Sequence, residues 1–249
     1  MPPAPSAAVL VSVIVPAFDE EAALPATLTA LFEQRDPPDF EIVLADGGSR
    51  DRTIARFESR VARDAGRGPG GPPGRVLCCR ARGRAAQMNA GAAAARGDVF
   101  VFLHADTLLP PEGLARVAQA LARPGTAGGG FALSYAESDP RLRLIAAGAT
   151  LRSRLTRTHY GDQAMFARRD AFARAGRFEE VPLFEDLRFA RALRRQGRIV
   201  TLSPAVRTSG RRLLQQGVLR TALQFARLKL LHAAGADPRR LAGRYRDVR

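Results

Sequence analysis

An α/β fold, with a mostly parallel central sheet flanked by helices, is predicted by three observations. Short apolar runs alternate with helical patterns from the start of the chain to Thr107, as in strand-helix-strand units joined by right-handed crossovers. Each run ends in polar or glycine residues, which the alternation places along one edge of the sheet. The chain is 249 residues long with 46% hydrophobic residues, enough for one such domain with a helical appendage.

Val9–Val15 is a β-branched and aliphatic run and reads as a buried strand that Pro16 stops. Asp19-Glu20-Glu21 then starts a helix, with Asp19 as N-cap and Leu24, Leu28, Leu31 and Phe32 on its apolar face. Phe40–Ala45 is the second strand and ends in Asp46-Gly47-Gly48-Ser49; Ser49 or Asp51 caps the following helix. Residues 64–75 are rich in Gly and Pro and form a loop. With no strand before these glycines and prolines among them, they are not a phosphate-binding loop. Val76–Cys79 is a third strand, and Gly83–Arg96 is an Ala-rich helix with Gly97 as its C-cap. Val99–Leu103 is the fourth strand; His104 and Asp106 follow it, two residues apart and so facing one spot. Further on, Pro111–Ala122, Arg141–Thr158, Arg169–Ala175, Glu185–Gln196 and Arg212–Ala234 read as helices. Gly128–Tyr135, Gln163–Phe166 and Ile199–Leu202 read as strands.

Net charge is +15, which favours phosphorylated ligands, nucleic acid or anionic lipid. Nucleic-acid binding is not expected. Aromatics are only 6%, Trp is absent, and the arginines are spread through helices rather than interleaved with stacking residues. The only cysteines, Cys78 and Cys79, are adjacent, so they form no ordinary disulfide and no zinc site; they read as core or strand residues in a reducing compartment. The N-terminal stretch lacks a basic start and runs directly into Pro16–Glu20, unlike a signal peptide. No apolar run approaches membrane-spanning length. A cytoplasmic location follows.

Ser12–Glu20, Asp46–Thr53, His104-Ala105-Asp106 and Glu185-Asp186, in this order and spacing over residues 9–200, resemble the four motifs of family-2 glycosyltransferases. Gly83–Gly91, Leu103–Thr107, Tyr160–Gln163, Pro182–Asp186 and Ser209–Arg212 are similar to a bacterial subgroup named radical-SAM/selenodomain-associated transferase 2. The resemblance implies the A-type glycosyltransferase (nucleotide-diphosphosugar transferase) fold, with a catalytic domain at residues 7–205 and a C-terminal helical extension at 206–249 packing on it. It implies a nucleotide-diphosphosugar donor, a divalent metal (Mn²⁺ or Mg²⁺), and, as in inverting members, direct displacement with an Asp as base.

Carried over to this chain, the resemblance makes Asp186 the general base and lets Glu185 orient acceptor or base. Asp106 would hold the metal on the donor diphosphate. His104 stands where the family has the first Asp of Asp-x-Asp; it is a metal ligand, for which imidazole suits Mn²⁺ better than Mg²⁺, or a ribose-binding or loop-stabilising residue. Asp46 and Gly48 would bind base or ribose, Pro16, Phe18 and Glu20 would line the base pocket, and Phe18 fits a plain core role equally. Arg84, Gln87 and Asn89, at a strand-to-helix junction, suit phosphate, and Arg211 and Arg212 would clamp the diphosphate. Leu213 replaces the aromatic usual after that pair, and Arg177 replaces a glycine usual before Phe178. Gly161, Asp162 and Gln163 would shape the acceptor side.

The acceptor is not identified by the residues. Arg212–Ala234 is basic and amphipathic, as for a core-packing helix or one lying on anionic lipid. Peripheral contact with the inner face of a membrane would suit a lipid-linked acceptor. Two alternatives remain open, a donor-binding but inactive homologue and a basic nucleic-acid-binding protein. A nucleotidyltransferase is disfavoured, because Pro16–Glu20 stands where a Gly-rich basic signature belongs.

Overall fold

Strand β1 (Val11–Ala17) is buried along its whole length, and the rest of the sheet is laid out from it. The computed structural model describes residues 9–65, 71–79, 81 and 83–242. β1 pairs in parallel with β2 (Phe40–Asp46) on one side and β4 (Val99–Phe102) on the other, and β2 pairs in parallel with β3 (Gly74–Cys78). α1 (Leu24–Phe32), α2 (Thr53–Ala65) and α3 (Arg84–Ala94) make the crossovers. Beyond β4 come β5 (Thr107–Leu108), α4 (Gly113–Ala122), β6 (Thr126–Tyr135), α5 (Pro140–Thr156), β7 (Met165–Arg168), α6 (Arg169–Arg174), α7 (Glu185–Leu193), β8 (Arg198–Thr208), α8 (Arg211–Gln216), α9 (Val218–Ala233) and α10 (Pro238–Ala242). The sheet order is β3-β2-β1-β4-β7-β6-β8-β5. Chain direction makes β7 antiparallel to β4 and β6, and β5 antiparallel to β8.

Alternation along the strands gives the sheet two buried faces. Val99 and Val101 of β4 join the core under α1, α2 and α4. Phe100 and Phe102 join the core under α3, α6 and α7. There Phe102, Phe172, Phe178 and Phe189 pack with ring centroids 4.3–6.4 Å apart. Aromatic pairs of this kind contribute beyond their buried area, and Phe189 ties α7 to the sheet.

Several boundaries differ from the sequence reading. Asp19 is not a helix cap: it has φ 54°, and α1 begins at Leu24, where the chain turns after Glu20. Gly97 is not a C-cap, since α3 ends at Ala94. A Cβ at Gly97 would lie 2.6 Å from the Leu10 carbonyl oxygen, so the residue serves close approach to β1. The strand expected at Gln163–Phe166 is β7, shifted to Met165–Arg168, because Gln163 belongs to a 3-10 turn. The expected helix at 212–234 is broken at Gly217 (φ 86°) into α8 and α9. The boundary expected between 205 and 206 falls inside β8, whose last residues still pair with β5 and β6. Of the two places expected for the cysteines, core or strand, Cys78 takes the strand: it ends β3 and is exposed. Of the 64–75 loop, residues 66–70 lie outside the described residues, as do 243–249 of the C-terminal extension. Among the described residues no helix is long and apolar enough to cross a membrane.

Candidate active site

β1 has β2 on one side and β4, reached after two further crossovers, on the other, so the strand order runs outward from it in both directions. Such a switch point opens a crevice beyond the carboxyl ends of the strands. Phe18–Glu20, Asp46–Ser49 and His104–Asp106 all follow strand ends there.

The first two of these segments are laced together. The Asp19, Glu20 and Glu21 amides donate to Ser49 Oγ, Thr53 Oγ1 and Asp51 Oδ2 at 2.8–2.9 Å. In return Asp19 Oδ1 and Glu21 Oε2 accept from the amides of Arg50 and Arg52. Asp51 also accepts from the Thr53 amide at the start of α2, as its capping role requires. Asp46 is buried, and its carboxylate accepts from the Gly48 and Ser49 amides at 2.8 and 2.9 Å and from Ser49 Oγ. That carboxylate thus shapes the turn carrying Gly48, which is exposed with φ 89°. Pro16 is buried within β1, while Phe18 and Glu20 are half-buried beside the turn.

At the start of α3 the side chains divide. Gln87 is buried and donates to the carbonyls of Ala17 and Ala45, tying the ends of β1 and β2. Asn89 bonds with both ends of its amide to the backbone of Phe178, at 2.8 and 3.0 Å. Both side chains therefore bond to the scaffold. Arg84 remains exposed on the crevice, 3.9 Å from Glu185.

Antiparallel β7 carries the other half of the site. Phe102 pairs with Met165, so the turn Gly161–Gln163 before β7 arrives beside His104. The Gly161 amide donates to Asp186 Oδ2 at 2.9 Å. A Cβ on Gly161 would come within 2.6 Å of His104 Nε2, so only glycine lets the imidazole lie against this turn. His104 Nε2 is buried without a partner, and burial, with the charge of Arg84, holds the imidazole well below its usual range. His104 thus sits on the Asp186 side of the crevice. Glu185 and Asp186 open α7, and the left-handed Phe184 (φ 66°) turns the chain into it. Burial, and then the charge of Asp186, push Glu185 up to about 7 against the pull of Arg84. The same two causes push Asp162 up to about 6, and its Oδ1 is buried without a partner. Gln163 does not face the crevice: its oxygen accepts from Ser153 Oγ, Arg152 and the Tyr160 amide, and its nitrogen donates to the Phe131 carbonyl. Gln163 thus braces the turn that carries Gly161 and Asp162.

β5 pairing with β8 brings Asp106 close to α8. Burial raises the Asp106 carboxyl, while the charges of Arg84 and Arg211 pull it down. Arg211 is exposed and Arg212 half-buried at the start of α8. The C-terminal helices close the remaining side. Phe184 stacks on His232 with centroids 4.9 Å apart, and Leu183, Phe184 and Leu187 bury against Leu228 and Leu241. Tyr160 lies between two cations, Arg152 at 3.6 Å from its ring centroid and Lys229 Nζ at 4.4 Å. The sequence reading missed Arg152 and Lys229. The one available signal was that Lys229 is the sole lysine of the sequence.

The profile of the family described as "Glycosyl transferase family 2" matches residues 12–177, from β1 to the turn before Phe178. The chain belongs to glycosyl transferase family 2. Among curated relatives, an undecaprenyl-phosphate 4-deoxy-4-formamido-L-arabinose transferase of Aeromonas hydrophila is 36% identical over 113 residues, covering 45% of this chain and 33% of that protein. The enzyme of the same name from Pseudomonas aeruginosa is 37% identical over 118 residues, covering 46% and 33%. The match therefore spans about a third of the length of these relatives. Solved structures superpose more widely. A mannosyltransferase from Pyrobaculum calidifontis, in complex with GDP-Man and Mn²⁺, gives a TM-score of 0.62 at 23% identity over 77% of this chain and 54% of that one. S. aureus TarS 1-349 gives 0.60 at 20% identity over 80% and 60%. At these identities the likeness is one of fold, the A-type glycosyltransferase architecture that the motif order implied.

Proposed function

We propose that this family-2 chain transfers a sugar from a nucleotide-diphosphosugar to a lipid-linked acceptor by direct displacement. The observation that carries the reading is the carboxylate of Asp186, oriented by the Gly161 amide at the sheet's switch-point crevice. In this reading the Phe18–Glu20 and Asp46–Ser49 turns receive the nucleoside, and Arg84 and Arg211 bind the diphosphate. Asp186 takes the proton of the acceptor hydroxyl as its oxygen bonds to the anomeric carbon, and the electron pair of the breaking C–O bond leaves on the diphosphate. Glu185, its carboxyl raised by burial and by the charge of Asp186, orients the acceptor, and Asp162 shapes its side of the crevice. The names of the curated relatives support the lipid-linked acceptor.

Asp106 and His104 are the residues that would hold a divalent cation. The partnerless, buried Nε2 of His104 fits a ligand role, and a nitrogen donor favours Mn²⁺ over Mg²⁺. When bound, such an ion would neutralise charge on the departing diphosphate. Among the described residues no cluster of three or more His, Cys, Asp or Glu side chains could hold a metal by itself, so donor oxygens would complete the coordination.

Calorimetry with UDP-, GDP- and dTDP-sugars, with and without Mn²⁺, tests the donor. Asp186→Asn is expected to keep donor affinity and lose transfer by about 10²–10⁴-fold. Turnover undiminished in that variant would remove Asp186 as base, and no heat with any donor would remove the transferase reading.

A further inference from the structure

The large apolar side chains that are exposed among the described residues all fall on α5, α8 and α9. Leu144, Leu151 and Leu155 on α5 and Leu219, Leu223 and Leu230 on α9 are 58–76% exposed. Their spacings, seven and four residues on α5 and four and seven on α9, put each trio on a single stripe. The inward stripe of α5 is Leu142, Ala146 and Ser153, and that of α9 includes Thr221 and Leu228. The leucines lie on the opposite pole of each helix. An ordinary surface helix carries charge there.

Charge separates the possible occupants of these faces. α5, α8 and α9 hold four, two and three Arg or Lys residues and no Asp or Glu, in a chain with 24 acidic residues. On α5, the Arg141 and Arg152 positions flank one side of the leucine stripe and the Arg143 and Arg154 positions the other. Asp139 at the helix start pairs with Arg141. A second copy of the same face would oppose like charges. A leucine stripe between rows of arginine matches the boundary between acyl chains and anionic headgroups. The two helices also meet at one place, since Arg152 of α5 and Lys229 of α9 both cover the ring of Tyr160, next to Gly161 and the Asp186 carboxylate.

We propose that α5 and α9 form a two-helix docking surface for an anionic lipid bilayer. It holds the crevice at Tyr160–Asp186 against the headgroup layer. The inference deepens the lipid-linked acceptor reading and rests on it only for the purpose of the contact.

Flotation of the full chain with phosphatidylcholine vesicles, with and without phosphatidylglycerol, tests it. The chain is expected to float with the anionic vesicles, less at high salt, and hardly with phosphatidylcholine alone. L144Q/L151Q/L155Q and L219Q/L223Q/L230Q, all at exposed positions, are each expected to lower partitioning by about tenfold, with unchanged melting temperature. The proposal is overturned if the chain ignores anionic vesicles or if both triple variants float like the parent. A dimer that the triple variants dissociate, without vesicle binding, overturns it in favour of a second copy. Donor calorimetry without vesicles separates the two readings: vesicle binding with no donor heat supports the docking surface while removing the transferase, and the converse removes the surface alone.

Discussion

His104 stands in place of the first Asp expected of an Asp-x-Asp motif, and its neighbours explain what a histidine needs there. Gly161 leaves just enough room for the ring and at the same time orients Asp186. Gly161→Ala is therefore expected to displace His104 and loosen Asp186. The backbone conformation there suits alanine, so a cooperative melt should survive while transfer falls about tenfold or more. Steady-state kinetics beside a thermal melt would check this, and unchanged kcat would show that the imidazole has room to spare. A second buried histidine lends itself to a pH test. His159 bonds through Nε2 to Thr201 Oγ1, and burial, with the charge of Arg152, pushes it down to about 3. The unfolded chain protonates His159 near pH 6.5 and the folded chain only near 3, so stability falls as pH drops through that window. From pH 6.5 to 4 the parent should lose roughly 3 kcal/mol more than His159→Gln, read from denaturant unfolding at each pH.

At the scale of elements, what was legible in the sequence was whatever local pattern decides. β1, β2 and β4 are predominantly apolar runs because both their faces are buried, and each could be read within two residues. The turns at their ends could also be read, since Asp46-Gly47-Gly48 has no strand or helix alternative. What escaped depends on partners distant in sequence. Asp19 has the composition of a helix cap, yet lacing to Arg50 holds it in a left-handed turn. Asn89 sits at a helix start like a ligand residue, yet its amide reads the backbone of Phe178, 89 positions on. Gln163 looked like part of a polar motif and proved to be buried among four partners. Arg177, with φ 63°, explains the glycine that the family usually places there. Asn89→Ala should free the loop that ends in Phe178 and cost about 1–3 kcal/mol. Urea unfolding measures that cost, and hydrogen exchange confined to 176–184 would locate it.

Over the whole molecule, the two halves of the site come from opposite strand directions. The parallel half presents carboxyl ends of strands, and antiparallel β7 brings an amino end to the same edge. The sequence revealed the first half through its alternation and could not reveal the second, because nothing local specifies which neighbour β7 takes. The net charge of +15 acts at this scale too. It should draw an anionic donor by long-range attraction, so donor affinity is expected to weaken several-fold between about 0.05 and about 0.5 M salt as screening shortens the Debye length. Calorimetry across that range checks it, and a flat response would assign binding to close contacts alone.

Lys229 covers Tyr160 at the rim of the crevice and is the only lysine of the chain. The chain thus has a single side-chain amine, and it stands over the Tyr160 ring. Amine-selective acylation would attach a fluorophore at that one side chain without any engineered cysteine. A lysine-specific protease likewise finds one cleavage point, inside α9. Its rate of cutting in the native state becomes a direct reading of how firmly the last helices are seated.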